Sequence, residues 1–238
     1  MMTNQKIKVA LCQLAVTADS QKNIAEAFDS INKVTTQGAQ IILLPEIFVC
    51  PYDAKVFRNN IHNEGSELFE RLKKISHDKK ILLIAGSVPE EEDGKLYNTS
   101  YIFEDGKFLG KHRKFHLFDV NIPGQIVFYE SQVFSPGEKL TVLDTKFGKI
   151  GVMICFDLRF SEMARLMALQ GVQMIFAPAA FNTITGPVHW ELVLRSRAAD
   201  AQSFLCACSP AFNDDLSYKT WGHSAIVDPR GKVLKMCG

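Results

Sequence analysis

The sequence predicts an α/β domain built on mixed β-sheet, and three observations carry that prediction. Short apolar runs alternate with stretches in which apolar residues recur at helical spacing, the pattern of strands and helices taken in turn. Other strands are separated only by a turn, as at Asp105-Gly106, so antiparallel hairpins accompany the parallel crossovers. The 238 residues contain no internal repeat, low-complexity tract or linker, which suits a single domain spanning 1–238.

The elements follow in order. Residues 8–14 (KVALCQL) read as a strand. Over 21–35, Ile24, Ala27, Phe28, Ile31 and Val34 fall on one helical face, with Asp19 and Ser20 as caps. Residues 41–44 form a buried-type strand ended by Pro45, and Leu68, Leu72 and Ile75 mark a helix over 66–77. Strands are expected at 81–87 and 97–104, the second turning through Asp105-Gly106 into 107–110. Residues 111–140 show little periodicity and carry two Pro-Gly turns, so they read as a long loop of the kind that carries function. Strands resume at 140–143 and 149–155, then a helix at 161–170 and a strand at 173–177. A helix over 187–202 opens on Pro187, and strands at 204–208, 225–228 and 233–236 close the chain.

Composition narrows the class. A net charge of +1 gives no basic footprint for nucleic acid. The short run Lys111-His112-Arg113-Lys114 taken alone is a solvated loop. No apolar run approaches the roughly 18 residues that span a membrane, and the first residues lack a signal-peptide core. The six cysteines include no CxxC pair and no Cys/His cluster, so the sequence calls for no metal or cofactor. Free thiols fit a reducing, cytoplasmic setting.

Three polar residues stand out by position. Cys155 ends an apolar run and precedes a helix, where open α/β sheets place ligands and a helix dipole favours thiolate. Alone, that is weak evidence, because a lone cysteine is more often a small buried hydrophobe. Glu46 follows Leu43-Leu44-Pro45, also just past a buried strand; it is either an exposed turn residue or a carboxylate facing the same crevice. Lys114 lies among Phe115, His116 and Phe118, and a cation there stabilises the oxyanion formed when a thiolate attacks a carbonyl. A Cys–His arrangement is the alternative, with His112, His116, His189 and His223 as bases, but none follows a strand as Glu46 does.

Taken together, LLPEIF, HRKFHLF and CFDLRF resemble the catalytic motifs of the nitrilase superfamily of carbon–nitrogen hydrolases, in the same order and along essentially the whole chain. The resemblance implies a four-layer α-β-β-α sandwich with mixed sheets. It also implies a covalent mechanism with Glu46 as base, Cys155 as nucleophile and Lys114 at the oxyanion, assisted by the Phe156 N–H. Glu130, in YES, matches an additional active-site glutamate of that family. His116 is expected to support the Lys114 loop through a hydrogen bond. Members usually continue past the final hairpin with a further strand and tail, which are absent after Met236-Cys237-Gly238.

The segments FDVNIPG, FNTITGPVHWELVLRSRA and SPAFNDDLSYKTWGHS are similar to the ω-amidase branch, which removes the terminal amide of dicarboxylic acid monoamides such as 2-oxoglutaramate and succinamate. Arg159 is then either a clamp for the remote carboxylate or the ion-pair partner of Asp157 or Glu162. Phe156, Phe181 and Thr185 line the slot, with the Thr185 hydroxyl or the Gly186 N–H as a further donor. Alternatives are an N-carbamoyl-amine hydrolase, a deaminated-glutathione amidase, or a non-catalytic binding protein on this fold. The partners implied are a small amide and a second copy of the chain across the helix 187–202. Cys206, Cys208, Trp190, Leu194 and Ala198 are expected in the core.

Overall fold

The computed structural model describes residues 6–238. In chain order it contains β1 (Val9–Leu11), α1 (Ser20–Thr36), β2 (Ile41–Leu43), α2 (Ala54–Phe57), α3 (Glu67–Lys79), β3 (Leu82–Glu92), β4 (Lys95–Glu104), β5 (Lys107–Arg113), β6 (Asp119–Ile122), β7 (Ile126–Tyr129), β8 (Thr141–Thr145), β9 (Gly148–Val152), α4 (Ser161–Leu169), β10 (Met174–Pro178), α5 (Gly186–Ala201), β11 (Phe204–Cys208), β12 (Ala225–Val227) and β13 (Val233–Met236). One sheet runs β1-β2-β3-β4-β5, and the other β13-β12-β11-β10-β9-β8. Both are mixed. β1, β2 and β3 are parallel while β3, β4 and β5 are antiparallel. β9, β10 and β11 are parallel, with antiparallel partners at both flanks.

Strand alternation builds the layers. Ile41 and Leu43 of β2 face Val152, Met174, Phe176, Cys206 and Cys208 of the other sheet, forming the central core. Ile42 and Leu44 point the opposite way, against Ile24, Ala27 and Ile31 of α1 and Leu68, Phe69 and Leu72 of α3. On the far side, Trp190, Leu194 and Ala198 of α5 and Met163 and Met167 of α4 cover Ile175, Ala177, Leu205 and Ala207. Consecutive residues thus serve different interfaces, which gives four layers, α-β-β-α. Each fully buried Ile or Leu contributes roughly 1.5–3 kcal/mol. α1 begins where the Asp19 side chain accepts from the Lys22 N–H at 3.1 Å, a cap that contributes about 1 kcal/mol.

Three sequence expectations need correction. The first strand ends at Leu11, because Gln13 turns to the opposite sheet and its Oε1 accepts from the Ser224 N–H and hydroxyl. Residues 111–140 are not one loop. They hold the end of β5, the β6–β7 hairpin and a 3-10 turn at Glu130–Gln132. Four-residue strands are too short to show a period, which is why the hairpin escaped notice. The strand expected to reach Cys155 ends at Val152, and Cys155 instead opens a 3-10 turn, Cys155–Arg159.

Candidate active site

Glu46, Lys114 and Cys155 follow β2, β5 and β9, and the packed sheets bring these three strand ends together. The backbone is strained at two of them. Ile47, directly after Glu46, has φ 47°, and Cys155 itself has φ 48°. A β-branched residue at positive φ is a marked outlier, and such strain concentrates where a side chain must be aimed. The Glu46 turn is pinned by the Ser87 hydroxyl, which accepts from the Ile47 N–H at 2.9 Å. It also sits so close to Gly86 that a Cβ there would lie 2.2 Å from the Pro45 carbonyl oxygen. The Lys114 backbone is held at both groups: its N–H donates to Asn98 and its carbonyl accepts from Gly137, each at 2.8 Å.

Lys114 Nζ is fully buried and donates to Glu130 Oε2 at 2.7 Å and Glu46 Oε1 at 2.9 Å. It also donates to the Tyr52 hydroxyl at 3.1 Å. Tyr52 in turn lies 2.9 Å from Glu130 Oε1 and 3.2 Å from Glu46 Oε1. Asn98 Nδ2 donates to both carboxylates, at 2.9 and 3.1 Å. Glu130 Oε2 further accepts from the Phe118 N–H at 2.6 Å, across the base of the β6–β7 hairpin. Burial opposes the Lys114 charge, but Glu130 and Glu46 outweigh it and hold its pKa well above the ordinary lysine value. With two carboxylates and one ammonium, the cluster is one cation short. Burial and, more weakly, the Glu130 charge raise Glu46 above the usual carboxylate range.

The second oxygen of Glu46, Oε2, is buried without a hydrogen-bond partner, and the Glu46 carboxylate and the Cys155 thiol influence one another. Burial, then the Glu46 charge, raise the Cys155 pKa well above that of an ordinary thiol, while Lys114 and the Ala180 N–H pull it down. Desolvation thus opposes the thiolate that a helix dipole alone would favour. Asp157, two residues on, binds this turn to the Lys114 loop. Its carboxylate accepts from His116 Nδ1 at 2.9 Å, the His116 N–H at 2.8 Å and the Ile154 N–H at 2.9 Å, and it contacts His112 Nε2 at 3.1 Å. Burial opposes ionisation, yet these partners hold Asp157 below the usual carboxylate range.

Phe118, Cys155, Phe156, Arg159, Phe181, Thr185 and Tyr218 line a narrow pocket around the thiol. A cavity of about 470 Å³ lies outside it and shares Tyr218, with Tyr52, Phe128 and Asn182 in its wall. Arg159 makes no ion pair with Asp157 or Glu162. Its Nη2 lies 3.1 Å from His189 Nδ1, and its Nε is buried without a partner. The Phe156 and Phe181 rings flank the guanidinium at 5.5 and 5.2 Å. Two expected donors are already engaged. The Thr185 hydroxyl lies 3.2 Å from Asn182 Oδ1, and the Gly186 N–H donates to the Asn182 carbonyl at 2.8 Å. Gly186 instead serves packing, since a Cβ there would meet the Trp221 side chain at 2.5 Å.

None of the four candidate histidines serves as base to Cys155. His112 and His116 bind Asp157, His189 meets Arg159, and His223 Nδ1 meets the Trp221 carbonyl. Sequence reasoning missed Tyr52, Asn98, Tyr218 and the Ala180 N–H. Asn98 sits in β4 beside Thr99 and Ser100, so no local pattern sets it apart. Among the described residues no group of three or more His, Cys, Asp or Glu could hold a metal, and no helix is long and apolar enough to cross a membrane.

The family model described as carbon-nitrogen hydrolase matches residues 8–238. The chain is 44% identical over 232 residues to human omega-amidase NIT2, covering 97% of this chain and 84% of that protein. The crystal structure of Saccharomyces cerevisiae Nit3, a member of branch 10 of the nitrilase superfamily, superposes with a TM-score of 0.90 at 43% identity, over 98% of this chain and 86% of that one. A mutant of the amidase from Nesterenkonia sp. AN1, 25% identical with a TM-score of 0.83 over 98% of this chain and 86% of that one, shows covalent addition of the acetamide moiety of fluoroacetamide at the active-site cysteine.

Proposed function

The chain belongs to the carbon–nitrogen hydrolase family, and from that premise we propose that it is an ω-amidase releasing ammonia from dicarboxylic acid monoamides such as succinamate and 2-oxoglutaramate. The observation that carries the substrate is Arg159: a guanidinium without an acidic partner, lining the same pocket as the nucleophile. A carboxylate bound there accepts paired N–H groups, and the opposite end of a short chain presents its amide to Cys155.

The steps follow from the geometry. The Glu46 carboxylate takes the thiol proton as Sγ bonds to the amide carbon. The oxyanion meets the Lys114 charge and the Phe156 N–H. The C–N bond breaks, Glu46 returns its proton to the leaving nitrogen, and a thioester remains on Cys155. Glu46 then deprotonates water, which attacks the thioester, releases the dicarboxylate and restores the thiol. Glu130 and Tyr52 keep Lys114 in place throughout. Ammonia release from succinamate tests this. Cys155→Ala should abolish it, and Arg159→Lys should raise KM for succinamate far more than for an uncharged amide. Equal losses on both substrates would remove Arg159 from the role.

The chain acts as a homodimer. Leu166 and Leu169 of α4 and Val188 and Leu192 of α5 are exposed on neighbouring helices, which supports a self-associating face there. Sedimentation equilibrium that returns only the monomer mass would refute it. A cytoplasmic location accords with the absence of any disulfide among the six cysteines. Fractionation of cells tests it.

A further inference from the structure

Arg159 has one anchoring contact that the chemistry above does not use. Its Nη2 lies 3.1 Å from Nδ1 of His189, which projects from α5, 30 residues along the chain. Guanidinium nitrogens only donate, so Nδ1 is the acceptor and the imidazole is neutral, with its proton on Nε2. Burial and the Arg159 charge both lower the His189 pKa, in keeping with that state. The aromatic faces of Phe156 and Phe181 fix the guanidinium between them but do not fix its rotation in its own plane. The bond to His189 does, and it leaves the buried Nε without a protein partner. An acidic residue in place of His189 would orient the fork equally well but would neutralise it. A neutral acceptor orients it and keeps the full charge for the ligand.

We infer that His189 is a specificity-positioning residue: it holds the Arg159 guanidinium so that its remaining N–H groups receive the remote carboxylate of the substrate. This rests on Arg159 as the carboxylate anchor of the proposed ω-amidase. Losing one such orienting hydrogen bond should cost about tenfold in recognition of the carboxylate.

The test compares kcat/KM for succinamate with that for butyramide, in which a methyl group replaces the carboxylate. In His189→Ala and in His189→Leu, which keeps the bulk but removes the acceptor, the succinamate-to-butyramide ratio should fall about tenfold, mostly through KM for succinamate. His189→Asn, whose Oδ1 can stand near the place of Nδ1, should recover most of the ratio. An unchanged ratio in Ala and Leu, equal losses on both substrates, or Asn no better than Leu would overturn the inference while leaving the anchor role intact. A wild-type enzyme with no preference for succinamate would overturn the anchor role, and His189 with it.

Discussion

Asp157 and Glu46 are both fully buried carboxylates beside the Lys114 loop, and they are built for opposite ends. Asp157 meets imidazole or backbone N–H partners at both oxygens and stays ionised below the ordinary range. Glu46 has one crowded oxygen, which meets Lys114, Asn98 and Tyr52, and one buried oxygen without a hydrogen-bond partner, and its pKa is raised. Saturating a buried carboxylate with donors makes it a tie between two segments. Leaving one of its oxygens unsaturated makes it a base.

The contrast can be broken at either residue. Glu46→Gln should lower kcat by about 10²–10⁴, the usual contribution of a general base. The same change should raise Tm at neutral pH, because it removes a buried charge that folding disfavours. Steady-state kinetics beside thermal melts would check both, and a less stable inactive variant would contradict the assignment. Asp157→Asn should destabilise by roughly 3–5 kcal/mol, since it leaves donors without their charge partner, and should loosen the Lys114 loop from the Cys155 turn.

Acid unfolding separates the pair by sign. The depressed Asp157 pKa contributes stability that is complete above the unfolded value of about 3.9 and disappears as pH falls through the native value. The raised Glu46 pKa contributes stability present below about 4.3 that is lost as pH rises through its native value. Denaturant melts across pH should therefore show a shallower acid-side slope in Asp157→Asn, with Glu90 and other paired carboxylates carrying the remainder, and an undiminished one in Glu46→Gln.

Smaller effects sharpen the Glu46 side. Tyr52→Phe removes the hydroxyl shared by Lys114, Glu46 and Glu130, and should cost about tenfold in kcat with little change in KM. Glu130→Gln removes a like charge that raises Glu46, so the acid limb of kcat/KM should move to lower pH. A limb moving upward would place the essential base elsewhere.

The two carboxylates also differ in how legible they were. Glu46 and Cys155 each follow an apolar run, but neither position is decisive alone, and only their combination with Lys114 in three motifs singles them out. The layer order, and Glu130 in its short motif, came from family resemblance rather than from pattern. Asp157 could be named only as a partner for Arg159, because its actual partners, His112 and His116, lie 45 and 41 residues away. Pattern alone cannot choose between the two readings of Arg159 for the same reason: the residue that meets it, His189, is on α5. Thr185 and Gly186 looked like free donors until the fold showed Asn182 engaging both. Local pattern reveals where a side chain starts, and only packing reveals what it meets.

The central claim is that the Cys155 thiol, deprotonated by Glu46, becomes acylated. Rapid quenching of the enzyme with succinamate, followed by mass spectrometry of the Cys155 peptide, tests it most directly. The expected result is a succinyl adduct on Cys155 that forms and decays with turnover and does not accumulate in Glu46→Gln. Ammonia release with no acyl group on Cys155, or with the adduct on another residue, would contradict it.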